Sequence, residues 1–189
     1  MLYDANEQRE WIVRQPNPSP EQQTVLDAVV EAFENEAGLL VFVQGKGGSG
    51  KTWLMKRLIA EVCARGEIAQ VCAATGLAAT LYEHGTTAHS LFKVPVEEEV
   101  DAENEEHELE CRLEETSDRM ELLRATRLFV WDEFPNNHRN TFEAVYRAMN
   151  GFENQILVAC GDFRQIPPIV PGADKWGVVD ASIKSSPLW

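Results

Sequence analysis

One stretch of eight residues constrains this chain more than any other: Gly45-Lys46-Gly47-Gly48-Ser49-Gly50-Lys51-Thr52. It satisfies the phosphate-loop pattern G-x-x-x-x-G-K-S/T without a mismatch. A short apolar run, Leu39–Val43, precedes it, and a helix-patterned stretch over about Lys51–Arg65 follows. The expected structure is therefore strand, loop, helix. The physical reasons are direct. Glycines at Gly45, Gly47, Gly48 and Gly50, with Ser49, let backbone N–H groups curl around phosphates. The start of a helix adds positive potential. Lys51 supplies a charge for the β- and γ-phosphates of ATP, and the Thr52 hydroxyl is a hard oxygen ligand suited to Mg²⁺. A glycine-rich turn that binds nothing explains the glycines alone, without the strand-to-helix context.

A strand–loop–helix unit needs a sheet. Ile68–Ala74, Leu128–Trp131 and Ile156–Cys160 supply three more short apolar runs, separated by helical patterns such as His138–Met149. Short continuous apolar runs alternating with helices indicate an α/β fold, a mostly parallel sheet with helices on both faces. Ligands of such sheets bind beyond the carboxyl ends of the strands. The residues ending the four runs form a consistent set: Gly45–Thr52, Thr75-Gly76, Asp132-Glu133 and Gly161-Asp162. Upstream, residues 1–18 are polar and end in Pro16-Asn17-Pro18, and they read as an extended segment. A helix begins at Ser19-Pro20-Glu21-Gln22, with Ser19 as N-cap and Gln22 closing a capping box, and Gly38 stops it.

Asp132 and Glu133 end the third run as a Walker B strand ends. Asp132 would hold Mg²⁺, and Glu133 would orient or deprotonate an attacking water. Gly161-Asp162-Phe163-Arg164-Gln165-Ile166-Pro167-Pro168 ends the fourth run, where Gln165 can hydrogen-bond a γ-phosphate or its water. A plain strand-to-loop turn explains Gly161 and Asp162 equally well. Thr75-Gly76-Leu77 and the later Thr87-Ala88-His89-Ser90-Leu91-Phe92 carry small and hydroxylated groups suited to a sugar–phosphate backbone. His89 and Phe92 can stack on unpaired bases, although Phe92 is as well explained as core. Trp53 and Trp131 read as packing, and Cys72 and Cys160 as inert core. Gln22 can read an adenine edge, but its capping box already accounts for it. His84, His89, His107 and His138 share no metal-ligand spacing, so no zinc site is expected.

Composition sets the frame. The 189 residues are 44% hydrophobic and 25% charged, ordinary for one soluble globular domain. No apolar run approaches a bilayer-spanning length, so no membrane partner is expected. The N-terminus lacks the apolar core of a secretory signal. Cys63, Cys72, Cys111 and Cys160 form no framework, which fits a reducing, intracellular compartment. The net charge of −14 is concentrated. Glu97–Asp118 holds twelve acids and one base, Arg112, while the remainder holds nineteen acids and sixteen bases. This acidic insert, 97–118, is expected to be a solvated loop or a helical excursion, largely outside the core, and a candidate docking surface for a protein partner. Because one insert produces the acidity, it does not argue against nucleic acid.

In this order, the motifs resemble the first motor domain of a superfamily-one DNA helicase of the Pif/RecD type. The resemblance rests on Pro18–Gln22, Gly45–Thr52, Ala74–Ala79 with Thr87–Ser90, Asp132-Glu133 and Gly161–Gln165. Trp131–Pro135, Phe142–Val145 and Asp180–Trp189 are most similar to the helicase of Helitron-type transposons, and the resemblance implies an intracellular protein, nuclear if it is of the eukaryotic Helitron type, with a role in DNA recombination and repair. It implies a RecA-like P-loop ATPase over residues 19–189. Gln22 would read adenine, Lys51 and Thr52 would bind ATP–Mg²⁺, and Asp132 would coordinate the metal. Glu133 would be the catalytic base, and Gln165 would couple the γ-phosphate to DNA movement. Thr75, Gly76, Leu77, His89 and Phe92 would touch single-stranded DNA. Phe134-Pro135-Asn136-Asn137 departs from the family pattern. The resemblance also implies a second RecA-like domain carrying an arginine finger, which these 189 residues do not contain, so ATP binding is expected to outlast turnover in this chain. Two rivals stay open. A P-loop small-molecule kinase would not need Gly161–Pro168. A nucleotide-gated DNA- or protein-binding module would lack DNA-stimulated hydrolysis.

Overall fold

A computed structural model describes residues 3–95 and 108–189, apart from 166, 167, 169, 171 and 173. Five strands form one sheet: β1 (Leu39–Gln44), β2 (Ile68–Ala73), β3 (Thr86–Thr87), β4 (Thr126–Asp132) and β5 (Ile156–Gly161). Their order is β1-β5-β4-β2-β3, and all neighbours pair in parallel. The eight helices among the described residues are α1 (Ala5–Arg14), α2 (Pro20–Glu34), α3 (Lys51–Cys63), α4 (Gly76–Ala79), α5 (Ala88–Phe92), α6 (Asp118–Ala125), α7 (Arg139–Ala148) and α8 (Lys175–Ala181).

Successive strand residues face opposite sides, and here the two sides differ in character. Leu128 and Val130 of β4, with Ile156 and Val158 of β5, meet Leu54, Met55, Leu58 and Ile59 of α3 in an aliphatic layer. Phe129 and Trp131 of β4 face the other way, into an aromatic layer with Phe92, Phe134, Phe142 and Phe152. Both layers are closed to water, which is why β4 and β5 read as unbroken apolar runs.

Three expectations need correction. Residues 1–18 are not simply extended: α1 occupies Ala5–Arg14, capped by the Asp4 side chain, which accepts from the N–H groups of Asn6 and Glu7. No residue of α1 is buried, so it has no apolar stripe to announce it. Polar contacts hold it instead. Arg9 donates to the Ala64 carbonyl at 2.6 Å, Arg57 donates to that of Ile12 at 3.2 Å, and Trp53 Nε1 donates to Gln15 Oε1 at 3.1 Å. The acidic insert is the second. Residues 96–107 lie outside the described residues, but 108–118 is not wholly solvated. Leu109, Cys111 and Leu113 pack against the aromatic layer, while Glu108, Glu110, Arg112 and Glu114 alternate outward. The Arg112 N–H donates to the Lys93 carbonyl at 2.9 Å, and Arg147 donates to that of Leu109 at 2.8 Å. The third concerns Phe92, treated with the site below.

Candidate active site

At the carboxyl end of β1, the Gly45 N–H donates to the Gly161 carbonyl at 3.1 Å. This pins the start of the phosphate loop to the end of β5. The loop then turns through Gly48 (φ 75°) and Gly50 (φ 83°), both left-handed, before α3 begins at Lys51. A side chain at Gly45 would collide with the Ser49 hydroxyl. The glycine pattern is thus a steric requirement of the curl. Lys51 Nζ folds into the loop and donates to the carbonyls of Gly45 (2.5 Å) and Lys46 (3.1 Å). The ammonium therefore already sits inside the cradle that the backbone makes for phosphate.

Two side chains predicted from sequence close over this loop. A Cβ at Gly50 would lie 2.7 Å from Gln22 Nε2, and one at Gly47 would lie 3.9 Å from Gln165 Nε2. Gln22 also completes the capping box of α2, its Oε1 accepting from the Ser19 N–H at 2.9 Å. The cap fixes the side chain and leaves its amide nitrogen facing Gly50. Gln165 reaches Gly47 through a tight turn. Its N–H donates to the Asp162 carbonyl at 3.0 Å, and the Arg164 N–H donates to Asp162 Oδ1 at 3.0 Å.

Asp132 and Glu133 leave β4 in different environments. Asp132 is buried at 5% exposure, and three donors satisfy its carboxylate. Tyr82 Oη donates to Oδ2 at 2.6 Å, the Glu133 N–H donates to Oδ1 at 2.8 Å, and Cys160 Sγ donates to Oδ1 at 3.1 Å. Burial, reinforced by the Asp132 charge, holds the Tyr82 hydroxyl and the Cys160 thiol protonated far above their ordinary ranges. Glu133 takes a left-handed backbone (φ 50°), unusual for a non-glycine residue, and its Oε2 accepts from Thr75 Oγ1 at 3.1 Å. The Phe134–Asn136 turn follows. Phe134, where the sequence departs from the family pattern, is buried in the aromatic layer. A side chain at Gly161 would strike the Pro135 ring, so the glycine after β5 makes room for the turn after β4.

Thr75, Gly76 and Leu77 are exposed at the end of β2, Leu77 at 83%. His89 is half-buried on α5. Phe92 is not available to a nucleic acid. It is fully buried, with ring centroids 5.8 Å from Trp131 and 5.6 Å from Phe129. Its spacing from His89 suits a stacking pair in a sequence, but α5 turns that position inward. Tyr82 escaped the sequence reading altogether. Its proximity to the TG-containing turn after β2 was the one available signal.

Together these groups fit ATP and Mg²⁺: a glycine cradle with a lysine inside it, and hard oxygen donors at Thr52, in the first turn of α3, and Asp132, at the end of β4. Fold and site define a RecA-like P-loop nucleotide-binding domain. Over residues 18–189 the chain matches the PIF1-like helicase family, and it belongs to that family. It is 31% identical over 167 residues to the human ATP-dependent DNA helicase PIF1, covering 84% of this chain and 23% of that protein. It is 29% identical over 169 residues to the zebrafish (Danio rerio) protein of that name, covering 83% of this chain and 23% of that protein. Among solved structures, Pif1 helicase from Bacteroides in complex with ADP-AlF3 and ssDNA aligns with TM-score 0.65 at 26% identity, covering 88% of this chain and 37% of that one. Pif1 from Candida albicans aligns with TM-score 0.65 at 25% identity, covering 93% and 38%. The chain thus spans about a quarter of the length of the curated relatives it matches.

Proposed function

We propose that this chain is the ATP-binding motor domain of a DNA helicase, coupling ATP hydrolysis to movement on single-stranded DNA. One observation carries the reading: the Thr75–Glu133 hydrogen bond, 3.1 Å long, joins an exposed strand-end segment to the acid beside the metal ligand. A phosphate loop alone is shared by many nucleotide enzymes. A hydrogen bond from an exposed hydroxylated turn to the acid beside the metal ligand supplies a route by which a bound strand can act on that acid.

In this reading Lys51 and the loop amides hold the phosphates. Thr52 and Asp132 hold Mg²⁺, which when bound neutralises charge on the β- and γ-phosphates. Glu133 accepts a proton from the attacking water, and Gln165, above Gly47, reports on the γ-phosphate. Gln22 faces the nucleotide side of Gly50. Thr75, Gly76, Leu77 and His89 contact the DNA strand. When DNA engages Thr75, its hydroxyl leaves Glu133 and the base is released toward water. The exposed acids of 108–118 offer a negative edge to a protein partner, and an intracellular setting, nuclear for a Helitron-type eukaryotic protein, accompanies the reading.

The test is ATP hydrolysis by this chain and by a version extended to the length of its relatives, each with and without single-stranded DNA. Stimulation by DNA that Thr75→Ala diminishes supports the reading. DNA binding with hydrolysis that never responds to DNA contradicts it and favours a nucleotide-gated binding module.

A further inference from the structure

The shortest hydrogen bond to Asp132 comes from a residue that has no part in the reading above. Tyr82 lies just after α4 and is 5% exposed. Lys56 Nζ of α3 lies 5.9 Å from its ring centroid, and Tyr3 Oη, ahead of α1, donates to the neighbouring Glu83 carbonyl at 2.6 Å. The Tyr82 hydroxyl donates to Asp132 Oδ2 at 2.6 Å.

The phenol has one proton to give, and it goes to Asp132 Oδ2. At Asp132, Oδ1 accepts from two donors and Oδ2 from one, so one lone-pair position stays open on Oδ2. A cation needs such an open carboxylate position.

We propose that Tyr82 is a positioning residue of the metal site. Its hydroxyl sets the rotamer of Asp132, so this oxygen ligand is arranged before Mg²⁺ arrives with its nucleotide. The proposal rests on the ATP–Mg²⁺ reading above and deepens it. Outer-sphere partners of this kind orient ligands that would otherwise rotate, and their removal weakens metal affinity about 10–100-fold in known sites.

The experiment titrates Mg²⁺ into protein saturated with a fluorescent ADP analogue, with a parallel ADP titration in EDTA. Tyr82→Phe keeps the ring and removes the hydrogen bond to Asp132. It is expected to raise the apparent Mg²⁺ dissociation constant about tenfold and to leave metal-free ADP affinity unchanged. Asp132→Asn raises it as well, and the double variant is no worse than Asp132→Asn alone, because Tyr82 acts through Asp132. Wild-type Mg²⁺ dependence in Tyr82→Phe, or two effects that add in full, would overturn the proposal. So would failure of Tyr82→Phe to fold, which would make the hydroxyl a structural element rather than an orienting one. A wild-type chain whose ADP binding ignores Mg²⁺ would instead overturn the underlying functional reading.

Discussion

Around the phosphate loop, function rests on backbone amides and short side chains whose positions β1 and β5 dictate. Along Thr75–Phe92 the chain leaves β2 as two very short helices, α4 and α5, joined by the two-residue β3. In the first region nearly every residue of the motif faces the site. In the second, outward and inward residues are interleaved: Thr75, Gly76 and Leu77 face solvent, while Ala78, Ala79, Tyr82 and Phe92 are buried. A motif built from backbone geometry places its residues by itself. A motif made of short helices divides its residues between function and core, and the packing decides which goes where.

The largest expected effect belongs to the first region. Glu133→Gln should leave ATP affinity intact and lower hydrolysis about 10²–10⁴-fold, the usual contribution of a positioned general base. Equal losses of binding and turnover would show Glu133 to be a phosphate or metal ligand instead. The second region should answer with stability. Phe92→Ala removes a ring packed on Trp131 and Phe129 and should cost about 3–5 kcal/mol in denaturant unfolding. Leu77→Ala, in the same segment but on its exposed side, should change stability by less than about 0.5 kcal/mol. It should weaken single-stranded DNA binding by about 1 kcal/mol, since one exposed apolar side chain is lost from the contact surface. If Phe92→Ala folds normally and loses DNA affinity, the division between core and contact residues is wrong. A separate effect is a pH dependence. Burial raises the thiols of Cys63 and Cys111 from 9.0 to about 11. The folded state holds protons that the unfolded chain has released, so stability should decline as pH rises from 9 to 11. Cys63→Ala should flatten that decline in denaturation curves.

The sequence made the sheet and most of the nucleotide end legible because both follow from short-range rules. Apolar runs specify buried strands, and the phosphate loop carries its own steric reasons in Gly45, Gly48 and Gly50. The fold brings the amides of Gln22 and Gln165, two motif residues, beside Gly50 and Gly47. What escaped has physical reasons. The α1 helix hides because its contacts are polar groups donating to backbone carbonyls, not a buried stripe; the Asp4-to-Glu7 spacing was its only local trace. The packed strip Leu109, Cys111 and Leu113 hides inside a run of charge, where net charge masks an alternation of period two. Tyr82 and the burial of Phe92 depend on contacts across 50 and 37 residues of sequence respectively, from Asp132 and Phe129, and no local pattern encodes them.

The central claim is that the carboxyl end of this sheet is an ATP–Mg²⁺ site organised by Lys51 inside the phosphate loop. Titration of a non-hydrolysable ATP analogue with Mg²⁺, read by calorimetry on the wild-type chain and on Lys51→Ala, tests it most directly. Saturable binding to one site is expected for the wild type. Lys51→Ala should weaken it at least about 100-fold, because a charge partner and its hydrogen bonds to the phosphates disappear together while the fold persists. Equal affinity in the two proteins, or no binding by the folded wild type, would contradict the account.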